Sequence, residues 1–210
     1  MNIRAVIFDY GEVLCHYPTP DEIGRMASVF QVSPQDFPEL YMRNRGLYDR
    51  GDLTAEGYWK KFAEDAGTKI ENSQIEELSR WDVEMWSTVN AEMMKWVKDL
   101  RAAGIKTAIL SNMPKDMAIH ARKNFHWLTD FDCHVFSCEI GVIKPNAGIY
   151  QHCLECLRVH PSEAVFIDDR EANVQGAREV GIHGIQFQSG TQLSRELRAM
   201  GFPTELASEF

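Results

Sequence analysis

Ala5-Val6-Ile7-Phe8-Asp9-Tyr10-Gly11 decides the fold. Four apolar residues in a row end abruptly at a carboxylate and a glycine. So short a continuous apolar run reads as a strand covered on both faces, the pattern of a parallel sheet. Similar runs recur at Ile105–Leu110, Val135-Phe136, Ala164–Ile167 and Ile182–Phe187. Helical patterns separate them. Asn90 can cap a helix whose apolar face is Met93, Trp96, Val97 and Leu100, with Gly104 as its stop. Pro145–Val159 and Arg170–Val180 carry the same period. Strand–helix alternation of this kind predicts an α/β, Rossmann-like, doubly wound parallel sheet.

Between the first strand and the Asn90 helix the alternation stops and helix follows helix. Thr19-Pro20-Asp21-Glu22 combines an N-cap, a proline in the first turn and a capping-box acid. Ser33-Pro34-Gln35-Asp36 repeats the start signal. Tyr58, Trp59, Phe62 and Ala63 mark a third helix, and Ser73-Gln74-Ile75-Glu76 opens a fourth. The expected organisation is a core of residues 1–14 and 89–210 with an all-helical insert at 15–88.

Composition narrows the partners. The 210 residues carry 31 Asp and Glu against 22 Lys and Arg, a net charge of −9, which disfavours nucleic acid and anionic membranes. No apolar run approaches the roughly 20 residues of a membrane helix, and no signal-peptide pattern opens the chain. A cytoplasmic setting is expected. The five cysteines (15, 133, 138, 153 and 156) are then expected as reduced thiols. Cys153-Leu154-Glu155-Cys156 has redox spacing, but its helical setting points to buried core thiols.

In a doubly wound sheet, ligands bind beyond the carboxyl ends of the strands. Asp9, Ser111-Asn112, Lys144 and Asp168-Asp169 all fall there. Packed carboxylates repel, and a divalent cation relieves them. Oxygen donors suit Mg²⁺. A Ser hydroxyl with turn N–H groups can hold phosphate oxygens, and a Lys neutralises developing charge. A carboxylate nucleophile in that company makes a phosphoryl-transfer site.

These stretches, Phe8-Asp9-Tyr10-Gly11-Glu12-Val13-Leu14, Leu110-Ser111-Asn112, Gly141-Val142-Ile143-Lys144-Pro145 and Phe166-Ile167-Asp168-Asp169 with Asn173 and Gly176-Ala177, resemble the four motifs of the haloacid dehalogenase (HAD) superfamily, in order. The helical insert resembles that family's C1 cap. The resemblance implies Asp9 as a nucleophile forming an aspartyl-phosphate. It implies Mg²⁺ held by Asp9, the Gly11 carbonyl, Asp168 and Asp169. Ser111 and the N–H of Asn112 would bind phosphoryl oxygens, Lys144 would bridge Asp9 and the phosphate, and Asn173 would orient from behind.

One position departs from the pattern. Most phosphatases of the superfamily carry an acid–base Asp two residues after the nucleophile, where this chain has Gly11. Lost acid–base help costs ~10²–10⁴-fold, and least where the leaving group is already acidic. The Asp-x-Gly-x-Val version is similar to bacterial sugar-phosphate phosphatases. The implied activity is a Mg²⁺-dependent phosphomonoester hydrolase of a small phosphorylated metabolite, such as a sugar 1-phosphate. Two alternatives stand beside it. One is a Mg²⁺-independent 2-haloacid dehalogenase, although that enzyme's Tyr lies two places after the nucleophile and Tyr10 is adjacent. The other is a non-catalytic phosphate-binding or interaction protein.

Substrate choice would rest with the cap. Arg43, Arg45, Tyr48 and Arg50 cluster before Gly51 and read foremost as a solvated helix end, with a role for one Arg toward a second substrate anion as the alternative. Trp59 and Trp86 are expected in cap core and hinge packing. His16 and Tyr17 fit either cavity lining or hinge packing.

Overall fold

The computed structural model describes residues 2–207. Five strands, β1 (Ala5–Phe8), β2 (Lys106–Ser111), β3 (Cys133–Phe136), β4 (Ala164–Asp168) and β5 (His183–Gln186), form one all-parallel sheet of order β3-β2-β1-β4-β5. The opening apolar run therefore lies at the centre of the sheet. All four of its side chains are fully buried. Alternation along the strand divides them between two faces. Val6 and Phe8 join one apolar cluster, which includes Trp96, Ile109, Phe136 and Leu193. Ala5 and Ile7 join the other, with Leu110, Ile149, Tyr150 and Phe166. Each such large side chain contributes roughly 1.5–3 kcal/mol by leaving water.

Helices α1 (Pro20–Val29), α2 (Phe37–Arg43), α3 (Arg45–Arg50), α4 (Ala55–Asp65) and α5 (Asn72–Met85) follow β1. They enclose an apolar cluster of their own built on Met26, Phe30, Tyr58, Trp59, Phe62 and Leu78. The Thr19 capping box forms as its sequence predicts, with Thr19 and Glu22 bonding each other's backbone N–H. The second start signal acts differently. Ser33 Oγ donates to the Asp36 carboxylate and accepts from its N–H, so Ser33–Asp36 forms a turn and α2 begins at Phe37. The short α3, absent from the sequence reading, ends at Gly51 with φ +88°.

The chain re-enters the sheet through α6 (Ala91–Ala102), capped by Asn90. Where it leaves and returns, Cys15 and Val89 form an antiparallel bridge, and His16 N–H donates to the Thr88 carbonyl. Helices α7 (Lys115–Asn124), α8 (Ser137–Ile140), α9 (Ala147–Leu157), α10 (Glu171–Glu179) and α11 (Gly190–Ala199) complete the fold. Residues 1 and 208–210 of the expected core lie outside the described residues.

One expectation is corrected. Cys133 on β3 and Cys156 on α9 are paired as a disulfide, so two of the five expected thiols are not free. α9 packs back on β3 and brings together two cysteines 23 residues apart in sequence. Cys153 keeps a buried free thiol, as do Cys15 and the half-buried Cys138.

Candidate active site

β1 ends by delivering Asp9 to the carboxyl edge of the sheet, where its N–H donates to the Ile167 carbonyl at 2.8 Å. The residue is 7% exposed. Its Oδ1 accepts from the Tyr10 N–H at 2.6 Å and lies 2.8 Å from Lys144 Nζ. Asp9 Oδ2 has no hydrogen-bond partner among the described residues. Lys144 Nζ also donates to Asp168 Oδ2 at 2.6 Å. Asp168 is fully enclosed, and its oxygens accept further from the Arg170 N–H at 2.8 Å and from Asn173 Nδ2 at 3.0 Å. Asp169, the next residue, lines the same cavity as Asp9.

Oxygens of Asp9, Asp168 and Asp169 lie within 4.8 Å of one another. Burial pushes the Asp9 carboxyl up to about 7, with Lys144 opposing and Asp168 reinforcing the rise. Burial works against the Lys144 ammonium, but Asp168 and Asp9 outweigh it and raise its pKa. Burial and the charge of Asp168 raise Asp169. One ammonium thus faces three carboxylates. This hard, oxygen-only donor set with an uncompensated negative charge fits a small divalent cation.

The position of Lys144 is fixed from several sides. The Asn112 side chain clamps its backbone, Oδ1 accepting from the Lys144 N–H at 2.8 Å and Nδ2 donating to its carbonyl at 3.1 Å. Gly141, at φ +68°, ends α8 in the left-handed conformation and turns the chain toward it. α10 approaches so closely that a Cβ at Gly176 would lie 2.7 Å from the Pro145 carbonyl oxygen. Tyr150 Oη donates to the Asn173 carbonyl at 2.7 Å and holds that helix against α9. Asn112 was expected to act through its N–H, and its side chain has this second task, invisible without the loop in place. Ser111, at the end of β2, is 3% exposed and lines the cavity with no hydrogen-bond partner for its hydroxyl among the described residues.

The helical insert covers this edge and leaves a cavity of about 100 Å³. Tyr41, Met42, Arg45, Asp49 and Trp86 form its far wall. The insert is tied to the sheet by Ser137 Oγ donating to the Asp49 carbonyl at 2.6 Å and Tyr48 Oη donating to Asp116 at 3.2 Å. The arginine cluster divides. Arg43 and Arg50 pair with Glu39 and Asp52 on the surface, as a solvated helix end would. Arg45 and Tyr48 are instead buried. Arg45 reaches Asp49 and Asp82, and its guanidinium lies 4.7 Å from the Tyr41 ring centroid. Burial opposes the Arg45 charge, but Asp49 and Asp82 hold its pKa well above the usual value. Trp59 is buried in the insert's apolar cluster, and Trp86 packs against that cluster and lines the cavity. His16 and Tyr17 lie where the chain enters the insert, His16 N–H bonding the Thr88 carbonyl and Tyr17 packing edge-on against Trp86.

Gly11 and Glu12 also line the cavity. Gly11 has φ −63° and ψ 134°, which any residue adopts, so the absent carboxylate is not a demand of the backbone. Glu12 sits at φ +58°, and burial and Asp169 raise its carboxyl while Arg170 opposes. Tyr10 is locked in the wall: its hydroxyl donates to the Trp86 carbonyl and its ring stacks against Phe125 and Trp127.

The family described as haloacid dehalogenase-like hydrolase matches residues 3–181. The chain belongs to that hydrolase family. It is 31% identical over 218 residues to acyl-CoA dehydrogenase family member 10 of Mus musculus, covering 98% of this chain and 20% of that protein. It thus spans about a fifth of that relative's length. A sesquiterpene phosphatase of Aspergillus oryzae is 24% identical over 202 residues, with 95% of this chain and 97% of that protein covered. Among solved structures, a HAD family enzyme of Bacteroides thetaiotaomicron superposes with a TM-score of 0.74 at 20% identity, covering 94% of this chain and 100% of that one. An Asp-to-Ala variant of that enzyme, solved with magnesium and inorganic phosphate, gives 0.71 at 20% identity over 89% and 94%. At such identities the solved HAD structures show a shared fold. No helix among the described residues is long and apolar enough to cross a membrane.

Proposed function

We propose that the chain is a Mg²⁺-dependent phosphomonoesterase acting through an aspartyl-phosphate on Asp9. The observation that carries this reading is one buried ammonium, Lys144, holding one oxygen of Asp9 while the other stays free toward a cavity that also receives the unpartnered Ser111 hydroxyl. The phosphatase relative and the magnesium- and phosphate-bound neighbour support it.

Asp9 Oδ2 would attack phosphorus as the bond to the leaving-group oxygen breaks, and that oxygen would take its proton from water. Lys144 and the Tyr10 N–H fix Oδ1 and so aim Oδ2. The Ser111 hydroxyl and the Asn112 N–H would donate to phosphoryl oxygens, and Lys144 would offset charge that grows there. Water then hydrolyses the aspartyl-phosphate at phosphorus. Mg²⁺, held by Asp9, Asp169 and the Gly11 carbonyl, would supply charge neutralisation between carboxylates and phosphoryl group. Asp168 already accepts from Lys144, Arg170 and Asn173, so its place is behind Lys144 and Asp169 is the direct ligand of the pair. Asn173 orients Asp168. Residues 15–88 would act as a cap on a core of 1–14 and 89–210, excluding bulk water from the attack.

With glycine at position 11, the best substrates carry a leaving group that needs little protonation, such as a sugar anomeric oxygen. The partner is a small phosphorylated metabolite, with neither nucleic acid nor membrane involved. The test is a panel of phosphorylated metabolites assayed for phosphate release with Mg²⁺ and with EDTA. Release that chelation abolishes supports the assignment. Turnover that survives EDTA, or halide release from 2-haloacids without metal, opposes it.

A further inference from the structure

Among the residues that line the active-site cavity, Glu12, Met42 and Arg170 are exposed, and the others are buried or half-buried. The exposed three lie together. Arg170 Nη2 approaches Met42 Sδ at 3.5 Å, and the Arg170 charge acts on the Glu12 carboxyl. They mark the side on which the cavity opens to solvent. Arg170 reaches across that opening, from the start of α10 at the sheet edge to α2 in the insert.

The opening is acidic apart from this arginine. Glu12 and Asp169 flank it, and Asp9 and Asp49 stand in the same wall. The cavity's other two cations are buried and committed. Lys144 is held between Asp9 and Asp168, and Arg45 between Asp49 and Asp82. Arg170 is placed differently. Its side chain is 54% exposed, and its Nε stands 4.0 Å from Asp169 Oδ2, the outer limit of an ion pair. Nη2 meets a thioether, a weak acceptor, and Nη1 has no hydrogen-bond partner among the described residues. The charge nevertheless reaches inward, opposing the rise that burial imposes on the Glu12, Asp49 and Asp169 carboxyls.

A phosphoryl dianion arriving from solvent meets carboxylates of its own sign, in a chain of net charge −9. An exposed guanidinium with uncommitted N–H groups offsets them at that place, and its planar fork suits phosphoryl oxygens. We propose that Arg170 receives the phosphoryl group at the cavity entrance, passes it inward to Ser111, Asn112 and Lys144, and meets inorganic phosphate again as it leaves. The inference rests on the phosphatase reading above. The Arg170 backbone N–H has a separate task, donating to Asp168 Oδ1, which a side-chain substitution leaves in place.

The test compares wild type, Arg170→Met and Arg170→Lys at fixed Mg²⁺ and varied salt, on the phosphomonoester that wild type turns over fastest. At low salt Arg170→Met should lower kcat/KM by about tenfold, through KM more than kcat, and raise the Ki of inorganic phosphate by a similar factor. Wild-type kcat/KM should fall as salt rises, with a slope that Lys retains and Met flattens. A merely structural arginine would leave that slope unmoved. Wild-type KM, Ki and salt slope in Arg170→Met overturn the entrance role, as does a loss confined to kcat. Phenylglyoxal labelling of wild type, mapped by mass spectrometry, needs no variant to fold. Inorganic phosphate with Mg²⁺ should slow labelling of Arg170 but not of Arg4 and Arg80, whose side chains are 51% and 59% exposed. Labelling of Arg170 at one rate with and without phosphate overturns the proposal and leaves the phosphatase reading intact. No Mg²⁺-dependent turnover of any phosphomonoester overturns the phosphatase reading, and the entrance role with it.

Discussion

Replacing Lys144 by Met keeps the long stem and deletes the ammonium that sits 2.8 Å from Asp9 and 2.6 Å from Asp168. Breaking a buried ion pair from one side costs about 3–5 kcal/mol, because a buried charge is left uncompensated. Asp9 sets the pH dependence. Its folded pKa is raised from 3.8 to about 7, so the stability linked to it is full below 3.8 and is lost as pH rises through 7. At 1.36 kcal/mol per pH unit, that loss is on the order of 4 kcal/mol in the metal-free protein. Removing Lys144 takes away the group that opposes the rise, so the loss extends to higher pH. Urea denaturation in EDTA should therefore show Lys144→Met less stable by about 3–5 kcal/mol at pH 8. The deficit should shrink by at least about 1.4 kcal/mol at pH 5, where Asp9 is protonated in both proteins. Equal deficits at the two pH values, or a deficit under about 1 kcal/mol at pH 8, would refute the reasoning.

Asp9→Asn should abolish phosphate release yet raise metal-free stability at pH 8, by up to about 4 kcal/mol, since it removes the carboxylate whose ionisation the fold opposes; a thermal melt in EDTA below wild type would count against this. Mg²⁺ should raise the wild-type Tm more at pH 8 than at pH 5, because ligand carboxylates must be deprotonated, and a pH-independent gain would contradict it. Gly11→Asp has room for its Cβ, 3.7 Å from Trp86 Cζ3, and should speed hydrolysis of alkyl phosphates by at least about tenfold while leaving p-nitrophenyl phosphate little changed. Unchanged alkyl phosphate rates would show that the absent carboxylate is not what limits the enzyme. Gly176→Ala puts a Cβ 2.8 Å from Pro145 Cβ, so it should cost roughly 1–3 kcal/mol and lower kcat through the displaced Lys144; wild-type urea midpoint and kcat together would sink the close-approach argument.

The sheet edge was legible in the sequence because each strand announces itself locally. An apolar run that stops at Asp9, Ser111 or Asp168 gives both the strand and the position of the group at its end. Lys144 was placed by its motif, since no apolar run abuts it. The insert was less legible. Arg45 stands beside Arg43 and Arg50 and shares their local pattern, while its burial depends on Asp82, 37 residues away, and on the ring of Tyr41. No local signal separates a charge on a helix end from one folded under a neighbouring helix. The Cys133–Cys156 pairing failed for the same reason, because it is a contact between β3 and the helix that packs on it. Ser189 caps α11 and Leu193 and Leu197 anchor it, a pattern short enough to pass unnoticed in the sequence.

The most direct test of the central claim is to trap the covalent intermediate. Wild-type protein mixed with Mg²⁺ and a turned-over phosphomonoester is acid-quenched, reduced with borohydride and mapped by peptide mass spectrometry. An aspartyl-phosphate is reduced to homoserine, so residue 9 should appear as homoserine only in samples that received both substrate and Mg²⁺. Phosphate release with residue 9 unmodified, or with the modification on another carboxylate, would contradict the account.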